Sequence, residues 1–558
     1  MAMLSAEPKI HLEIQTSRKT PVGILRTTFW DREQKKYKHK QIARIKNKTL
    51  NELRLIQASF RGDVVPVDSP EATQNIRSRE LGASQEILNL IKRLELHKTI
   101  YSRNEPWVQC ILAMVTGRII YQDSKLALCN VWENTCLWEL CGVEEKPQVQ
   151  KHCYSPMDEL LKRKPFIQQK LADKHLKKNG AETLVLYDIT STYFEGEYED
   201  SELVTYGYNR DRKRGTKQVV IGLVCTAEGC PIAIEIFKGN TKDDSTVVGK
   251  ITEIRELYGI RKCTFVGDRG MLTAKNLDHF KNDAELFTVT ALTHGNMKEL
   301  LESKTIQLEL FDEKNIAEVN DLETPEIRYC LCKNPQSAAK ETATRKRLLE
   351  LSENALQEIA DYKRKCTVEV LGSRVGRILQ KYKMGKFIDW HVEASTEGES
   401  QSNAHKLIWK LNEEKISQEQ QLDGCYIIRT DLPEETMNTE EVVASYKDLG
   451  NIERAFRNMK TVTLEMRPVH HKTDARIESH LFICMLAYYV QWHMHKAFEP
   501  IYEADGQGAE RSVTFRNLVE KLKSIRSNTM RTNKIEYECP TQPDEKQQQM
   551  IDLLEAIA

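Results

Sequence analysis

The sequence predicts an α/β protein: a mixed sheet flanked by helices, interrupted by an inserted domain and preceded by a β-rich and then helical N-terminal region. Three observations predict it. Short apolar runs of strand length recur from TLVLYD through QVVIGLVCTA, CPIAIEIFKG, CTFVGD and ELFTVTAL to GCYIIRTDL. Helical patterns, with apolar residues three and four apart, separate several of them. A charged stretch over about 297–424, rich in Glu, Ser and Gln toward its end, divides the last two runs. A chain of 558 residues also exceeds one hydrophobic core.

Taken in order, residues 1–65 read as a small β-rich basic module, with alternating stretches (HLEIQT, VGILRTTFW) and a turn at Arg61-Gly62-Asp63. Residues 66–180 read as a helical region, because ILNLIKRLELHKTI, WVQCILAMVTGRII and PMDELLKRKPFIQQKLADKHL share helical spacing and Asn179-Gly180 stops the last of them. Residues 181–296 hold the first part of the sheet domain. In that part Glu228-Gly229 is a hairpin turn, Asp243 to Tyr258 is helical, and two strands end on acids, Asp188 and Asp268. Residues 297–424 form the insertion, with a strand candidate EIRYCLCKN and a charged helix from about Ser337 to Lys365. Residues 425–495 resume the sheet domain with a helix from about Thr439 to Lys460, and 496–558 read as a helical tail.

Composition excludes several classes. Forty per cent hydrophobic and 29% charged residues describe a globular chain, not a disordered one. The start lacks the basic and apolar segments of a signal peptide, and the most apolar window, Leu481 to Val490, is too short to cross a bilayer, so a cytoplasmic protein with no membrane partner is expected. Fourteen cysteines are scattered without a C-x-x-C pair. Cys225/Cys230 and Cys330/Cys332 lack matched histidine pairs, which argues against zinc. Net charge is zero, yet Ser17 to Arg61 carries thirteen Lys or Arg against three acids, and Arg210 to Lys217 carries five against one. Basic patches of this kind neutralise phosphates and release counterions, the source of sequence-independent DNA affinity.

Asp188 and Asp268, each closing a strand, would share one edge of the sheet if those strands are neighbours. Strand ends hold side chains rigidly while leaving them accessible. A third acid, Glu453, lies between Tyr446 and Lys460 at intervals of seven, on one face of a helix if Gly450 does not break it.

In this pattern the chain resembles an insertion-sequence DDE transposase carrying the Y-R-E-K signature. Tyr446, Glu453 and Lys460 reproduce that signature's spacing, while its Arg position is occupied by Leu449. Tyr187-Asp188-Ile189-Thr190 and Val266-Gly267-Asp268-Arg269 resemble the motifs around the first and second Asp. Tyr206 to Asp211, Gly229 to Ile232, Phe237 to Thr241, Arg467-Pro468-Val469 and His480 extend the likeness. The resemblance implies an RNase H-like fold, and Asp188, Asp268 and Glu453 as ligands of two magnesium ions, for which manganese can substitute. It further implies Asp188 as the bridging ligand, and Tyr446 and Lys460 as phosphate contacts. Arg269, Arg210, Arg212, Lys213 and Arg214 would line the DNA path. The implied reaction is cleavage at transposon ends, the terminal inverted repeats, and joining of 3′-hydroxyls to target DNA. The first 65 residues are the candidate for end recognition, 66–180 for DNA binding or dimerisation, and a homodimer on DNA is expected. A decayed, DNA-binding relative and a metal-dependent nuclease without strand transfer stay open.

Overall fold

The computed structural model describes residues 9–16, 20–31, 36–61, 73–176, 183–208, 215–242, 249, 251–252, 255–256, 262–280, 283, 285–312, 315–321, 323–361, 367–394, 405–506, 512–532 and 535–557. The helix expected over Asp243 to Tyr258 lies largely outside them, as do the turns at Gly62-Asp63 and Asn179-Gly180. Two compact units are present, Met1–Arg79 with Arg526–Thr541, and Glu80–Ile525 with Gln542–Ala558.

In the first unit, β1 (Lys9–Gln15), β2 (Val22–Asp31) and β3 (Lys36–Ile45) form an antiparallel sheet, with Leu12 opposite Leu25. Leu53, on the helix Leu50–Arg61, is fully buried together with Leu12 and Ile24. β3 has an exposed pattern along nearly its whole length and carries Lys36, Lys40 and Arg44. β4 (Thr73–Glu80) joins a second small sheet whose other strands come from the C-terminus.

The second unit is built on a mixed sheet. Its strands are β5 (Thr183–Tyr193), β6 (Thr205–Tyr206), β7 (Lys217–Thr226), β8 (Pro231–Lys238), β9 (Cys263–Val266), β10 (Leu286–Ala291), β11 (Ala317–Asn320), β12 (Arg328–Lys333) and β15 (Cys425–Thr430). The order runs β11-β12-β15-β10-β9-β5-β7-β6, with β8 also on β7. β9 is parallel to both β5 and β10, whereas β7, β8 and β15 run antiparallel to their neighbours. The inner strands are buried on both faces, which explains their near-continuous apolar sequences.

The register at the centre is set by volume. Tyr187 is fully buried and its ring lies 5.7 Å from that of Phe265. On the next strand, a Cβ added to Gly222 would sit 2.5 Å from the Tyr187 hydroxyl, so only glycine leaves room for the ring. The helix Asp474–Ala497, which contains the apolar window Leu481 to Val490, is buried through its middle against β8 and the helices Pro106–Ile120 and Ser155–Lys162. Thus the window is a core helix. Among the described residues no helix is long and apolar enough to cross a membrane.

Four expectations are corrected. β5 does not end on Asp188 but continues to Tyr193, because ITSTY also pairs with β7. β11 and β12, read as part of the insertion, extend the main sheet, with Cys330 opposite Ile428 on β15. Between β12 and β15 the chain builds the helices Pro335–Ala360 and Val368–Tyr382 and the hairpin of β13 (Ile388–Ala394) and β14 (His405–Leu411), around a separate apolar cluster that includes Leu356 and Val375. The helix expected from Thr439 to Lys460 is divided at Asp448 into Thr439–Lys447 and Leu449–Arg457, followed by a π-helical turn, Asn458–Val462. Finally, the tail holds a hairpin, β16 (Arg526–Thr532) and β17 (Ile535–Pro540), paired with β4. Its polar strands carry little apolar periodicity, and Arg526 bonds to Ser78, 448 residues away.

Gly222→Ala is expected to destabilise the protein by about 1–3 kcal/mol through overpacking against Tyr187. A urea unfolding midpoint checks this, and an unchanged midpoint would mean that the ring is free to move aside.

Candidate active site

The parallel register of β5 and β9 places Leu186 opposite Val266. Asp188 and Asp268 each stand two residues further on, so they emerge at the same height of the sheet. In each, Oδ1 accepts a hydrogen bond from the following backbone N–H, Ile189 or Arg269, at 2.7 Å. These local bonds hold both carboxylates close to their own backbone. Asp188 is half-buried, while Asp268 and Arg269 are exposed.

The third acid arrives on the helix Leu449–Arg457, which packs on β5. Leu449, Ile452, Ala455 and Phe456 form its buried face, and Glu453, Arg454 and Arg457 are exposed. The position where the signature has Arg therefore points into the core here, since Leu449 is only 9% exposed and belongs to the main apolar cluster. The helix is braced from beneath by the β7–β8 turn. Gly229 has φ of 84°, and an added Cβ would lie 2.7 Å from Cβ of Asn451.

Lys460 follows in the π-helical turn and is buried; its Nζ donates to Oγ1 of Thr190 at 2.6 Å. Thr190 is two residues beyond Asp188, on the same face of β5. Asp188, Thr190, Glu453, Phe456, Arg457, Lys460, Thr461 and Arg467 line one cavity of about 320 Å³. The guanidinium of Arg467 also stacks 4.6 Å from the Tyr193 ring centre. A larger cavity, about 890 Å³, opens on the other flank of the helix beside Asn451, Arg454 and Trp492, and holds none of the three acids.

Tyr446 links the remaining groups. Burial pushes its phenol up to about 12, and the negative charges of Asp268, Glu453 and Asp188 add to that rise while Arg269 opposes it. All three carboxylates and Arg269 thus influence the charge state of one hydroxyl. Asp268 is not on the wall of the smaller cavity but belongs to the same electrostatic neighbourhood.

Of the expected residues, the fold thus brings together Asp188, Asp268, Glu453, Tyr446, Lys460 and Arg269. Arg210, Arg212, Lys213 and Arg214 lie outside the described residues. His480 is a core histidine, its Nε2 3.2 Å from the Met466 carbonyl. Sequence reading missed Thr190, Arg457 and Arg467 as site residues. The two-residue period of a strand would have found Thr190, and the four-residue step from Glu453 would have found Arg457.

The donor set suits hard divalent cations. Carboxylate oxygens are the ligands magnesium prefers, and in a two-ion site with metals about 3.5–4 Å apart the outer carboxylates need not converge on one point. Arg457, Lys460 and Arg467 add positive charge on the same cavity, suited to a phosphodiester.

A family model described as the transposase DDE domain matches residues 179–490, more than half of the chain. Among solved structures, the cryo-EM structure of a piggyBac transposase synaptic complex with hairpin DNA is similar over 75% of this chain and 70% of that one, at 8% sequence identity and a TM-score of 0.35. No curated protein sequence matches.

Asp268→Asn is expected to lower the Tyr446 pKa from about 12 without reaching the ordinary phenol value of about 10. A carboxylate opposes phenolate formation, so removing it eases ionisation, while burial, the larger cause, persists. Ultraviolet phenolate titration, read as the difference from a Tyr446→Phe variant, measures it. An unmoved value would detach Asp268 from the site.

Proposed function

This chain belongs to the transposase DDE-domain family, and on that premise we propose that it is the DNA transposase of an insertion sequence, acting at transposon ends with Asp188, Asp268 and Glu453. The observation that carries this reading is geometric: Asp188 and Asp268 follow paired residues of neighbouring parallel strands, and Asp188 and Glu453 face one cavity beside Lys460. The strand order β8-β7-β5-β9-β10, with two antiparallel strands followed by three parallel ones, supports the RNase H-like reading of the core.

Asp188, Asp268 and Glu453 would hold a pair of magnesium ions, with manganese able to substitute. The chemistry this supplies when bound is activation of the attacking oxygen and relief of charge on the leaving one. The chain's own side chains do the rest. Tyr446 is protonated at neutral pH, as any phenol is, and can donate a hydrogen bond to a phosphate oxygen. Lys460, anchored on Thr190, is a positive charge fixed two residues from Asp188, and Arg457 and Arg467 offer guanidinium groups to the same phosphodiester. Joining two transposon ends favours a homodimer on DNA. The exposed basic strand β3 supports the first module as an end-binding surface. A transposase of this kind works in the cytoplasm, on the nucleoid.

Purified protein supplied with magnesium and its element's terminal inverted repeats should yield 3′-hydroxyl ends and joined products. Asp188→Ala, Asp268→Ala and Glu453→Ala should each reduce cleavage by about 10³-fold or more while DNA binding survives. Equal cleavage by Asp188→Ala would overturn the assignment, and nicking of arbitrary DNA without joining would indicate a nuclease.

Reversing charge at Arg212, Lys213 and Arg214 should weaken DNA binding and flatten its salt dependence by about 0.9 in log–log slope for each phosphate no longer neutralised. Filter binding over a salt series measures this; an unchanged slope would take the run off the DNA path.

A further inference from the structure

Away from the three acids, the fold assembles a set of soft ligands that sequence spacing does not suggest. His175 ends the helix Lys164–His175, Cys230 follows the β7–β8 turn, and His493 lies on the helix Asp474–Ala497. One donor atom from each, two imidazole nitrogens and a thiol sulfur, lies within 4.8 Å of the others. Among the described residues this is the one group of three possible metal ligands so closely spaced.

The distances are near what a metal needs. Zn–N bonds of about 2.0–2.1 Å and Zn–S bonds of about 2.3 Å place tetrahedral ligands about 3.5 Å apart. Closing the triangle to that spacing takes side-chain shifts of about 1 Å or less per group, with no movement of the helices. Cys230 is buried at 1% exposure, and both histidines are half-buried.

A ring stack without metal is the competing reading. Tyr489 packs 4.8 Å from His493 and 5.5 Å from His175, and its hydroxyl lies 2.9 Å from Nε2 of His175. That reading leaves one atom unexplained. Nε2 of His493 is buried and has no hydrogen-bond partner, an uncompensated cost in a protein interior. A metal ion would satisfy it directly. Lys174 is the cation that opposes an ion here; it is tethered through Nζ to the Leu94 carbonyl at 2.7 Å.

We propose that His175, Cys230 and His493 bind a zinc ion that pins the β7–β8 turn to the two helices. One thiolate and two imidazoles are the donors zinc takes, with water filling the fourth position. On binding, the Cys230 thiol proton is released to solvent as the S–Zn bond forms. The ion has a structural consequence for the acid helix. The pinned turn includes Gly229, in close approach to Asn451, and Glu228, whose carbonyl accepts from Trp492 at 3.2 Å. It would therefore fix the floor on which Glu453 is carried.

The test uses the full chain, prepared without chelators and dialysed, with zinc measured by elemental mass spectrometry. One zinc per chain is expected, retained by Asp188→Ala and lost in Cys230→Ser and in His175→Gln. Exchange with cobalt should give a thiolate-to-cobalt charge-transfer band that Cys230→Ser abolishes. Circular dichroism establishes that each variant is folded, and His175→Gln, at a half-buried position, guards against a folding defect at buried Cys230. Chelation should lower the melting temperature of the wild type and leave that of folded Cys230→Ser unmoved. A wild-type protein that retains no zinc and shows no thiolate band with cobalt would overturn the site, as would a band unchanged in Cys230→Ser.

Discussion

When Leu186 pairs with Val266 in parallel register, Asp188 and Asp268 emerge side by side, and every other part of the site is arranged around that pair. A slip of one residue would send Asp188 to the opposite face of the sheet, because strand side chains alternate. What prevents the slip is a matter of volume. Tyr187 fills a buried space bounded by Phe265 on one side and by Gly222, opposite Ile189 on β7, on the other. A large ring can occupy that space in one register only. The candidate chemistry thus depends on a tyrosine that faces away from it.

Glu453 reaches the same place by independent means. Its helix is held by the apolar face Leu449, Ile452, Ala455 and Phe456 against β5, by the close approach of Gly229 to Asn451, and by Lys460 bonding back to Thr190. The break at Asp448 separates Tyr446 from Glu453, so the spacing of seven does not describe one continuous helix. The two residues meet electrostatically all the same, because both segments pack on the sheet.

This explains which features can be read from the sequence. The strands are visible because their cores are apolar on both faces, and the aspartates because each follows such a run. The true end of β5 is not visible, since the polar segment Ile189 to Tyr193 looks like a loop until β7 is known to cover it. Leu449 stands out as a flaw in a motif, but its burial shows that the residue serves packing at a position where the motif has a charge. β12 is hidden inside an apparent insertion because its partner, β15, comes after the helical excursion. The tail hairpin and the trio His175, Cys230 and His493 share one difficulty. Each depends on residues tens to hundreds of positions apart, and neither periodicity nor motif spacing records such proximity.

A chain with equal numbers of basic and acidic residues can still concentrate opposite charges within one site. Three carboxylates act electrostatically on one half-buried phenol, that of Tyr446. The fold holds these groups through its rigid parts. Strand pairing fixes the two aspartates, each braced by the next backbone N–H, and apolar packing fixes the helix of Glu453. The basic groups complete the balance on the neighbouring wall, where Arg457, Lys460 and Arg467 line the cavity shared by Asp188 and Glu453. Acidic and basic groups thus stand a few side chains apart. The placement of these groups on independent, rigid supports, more than the identity of any one of them, is what keeps opposite charges ordered within one site.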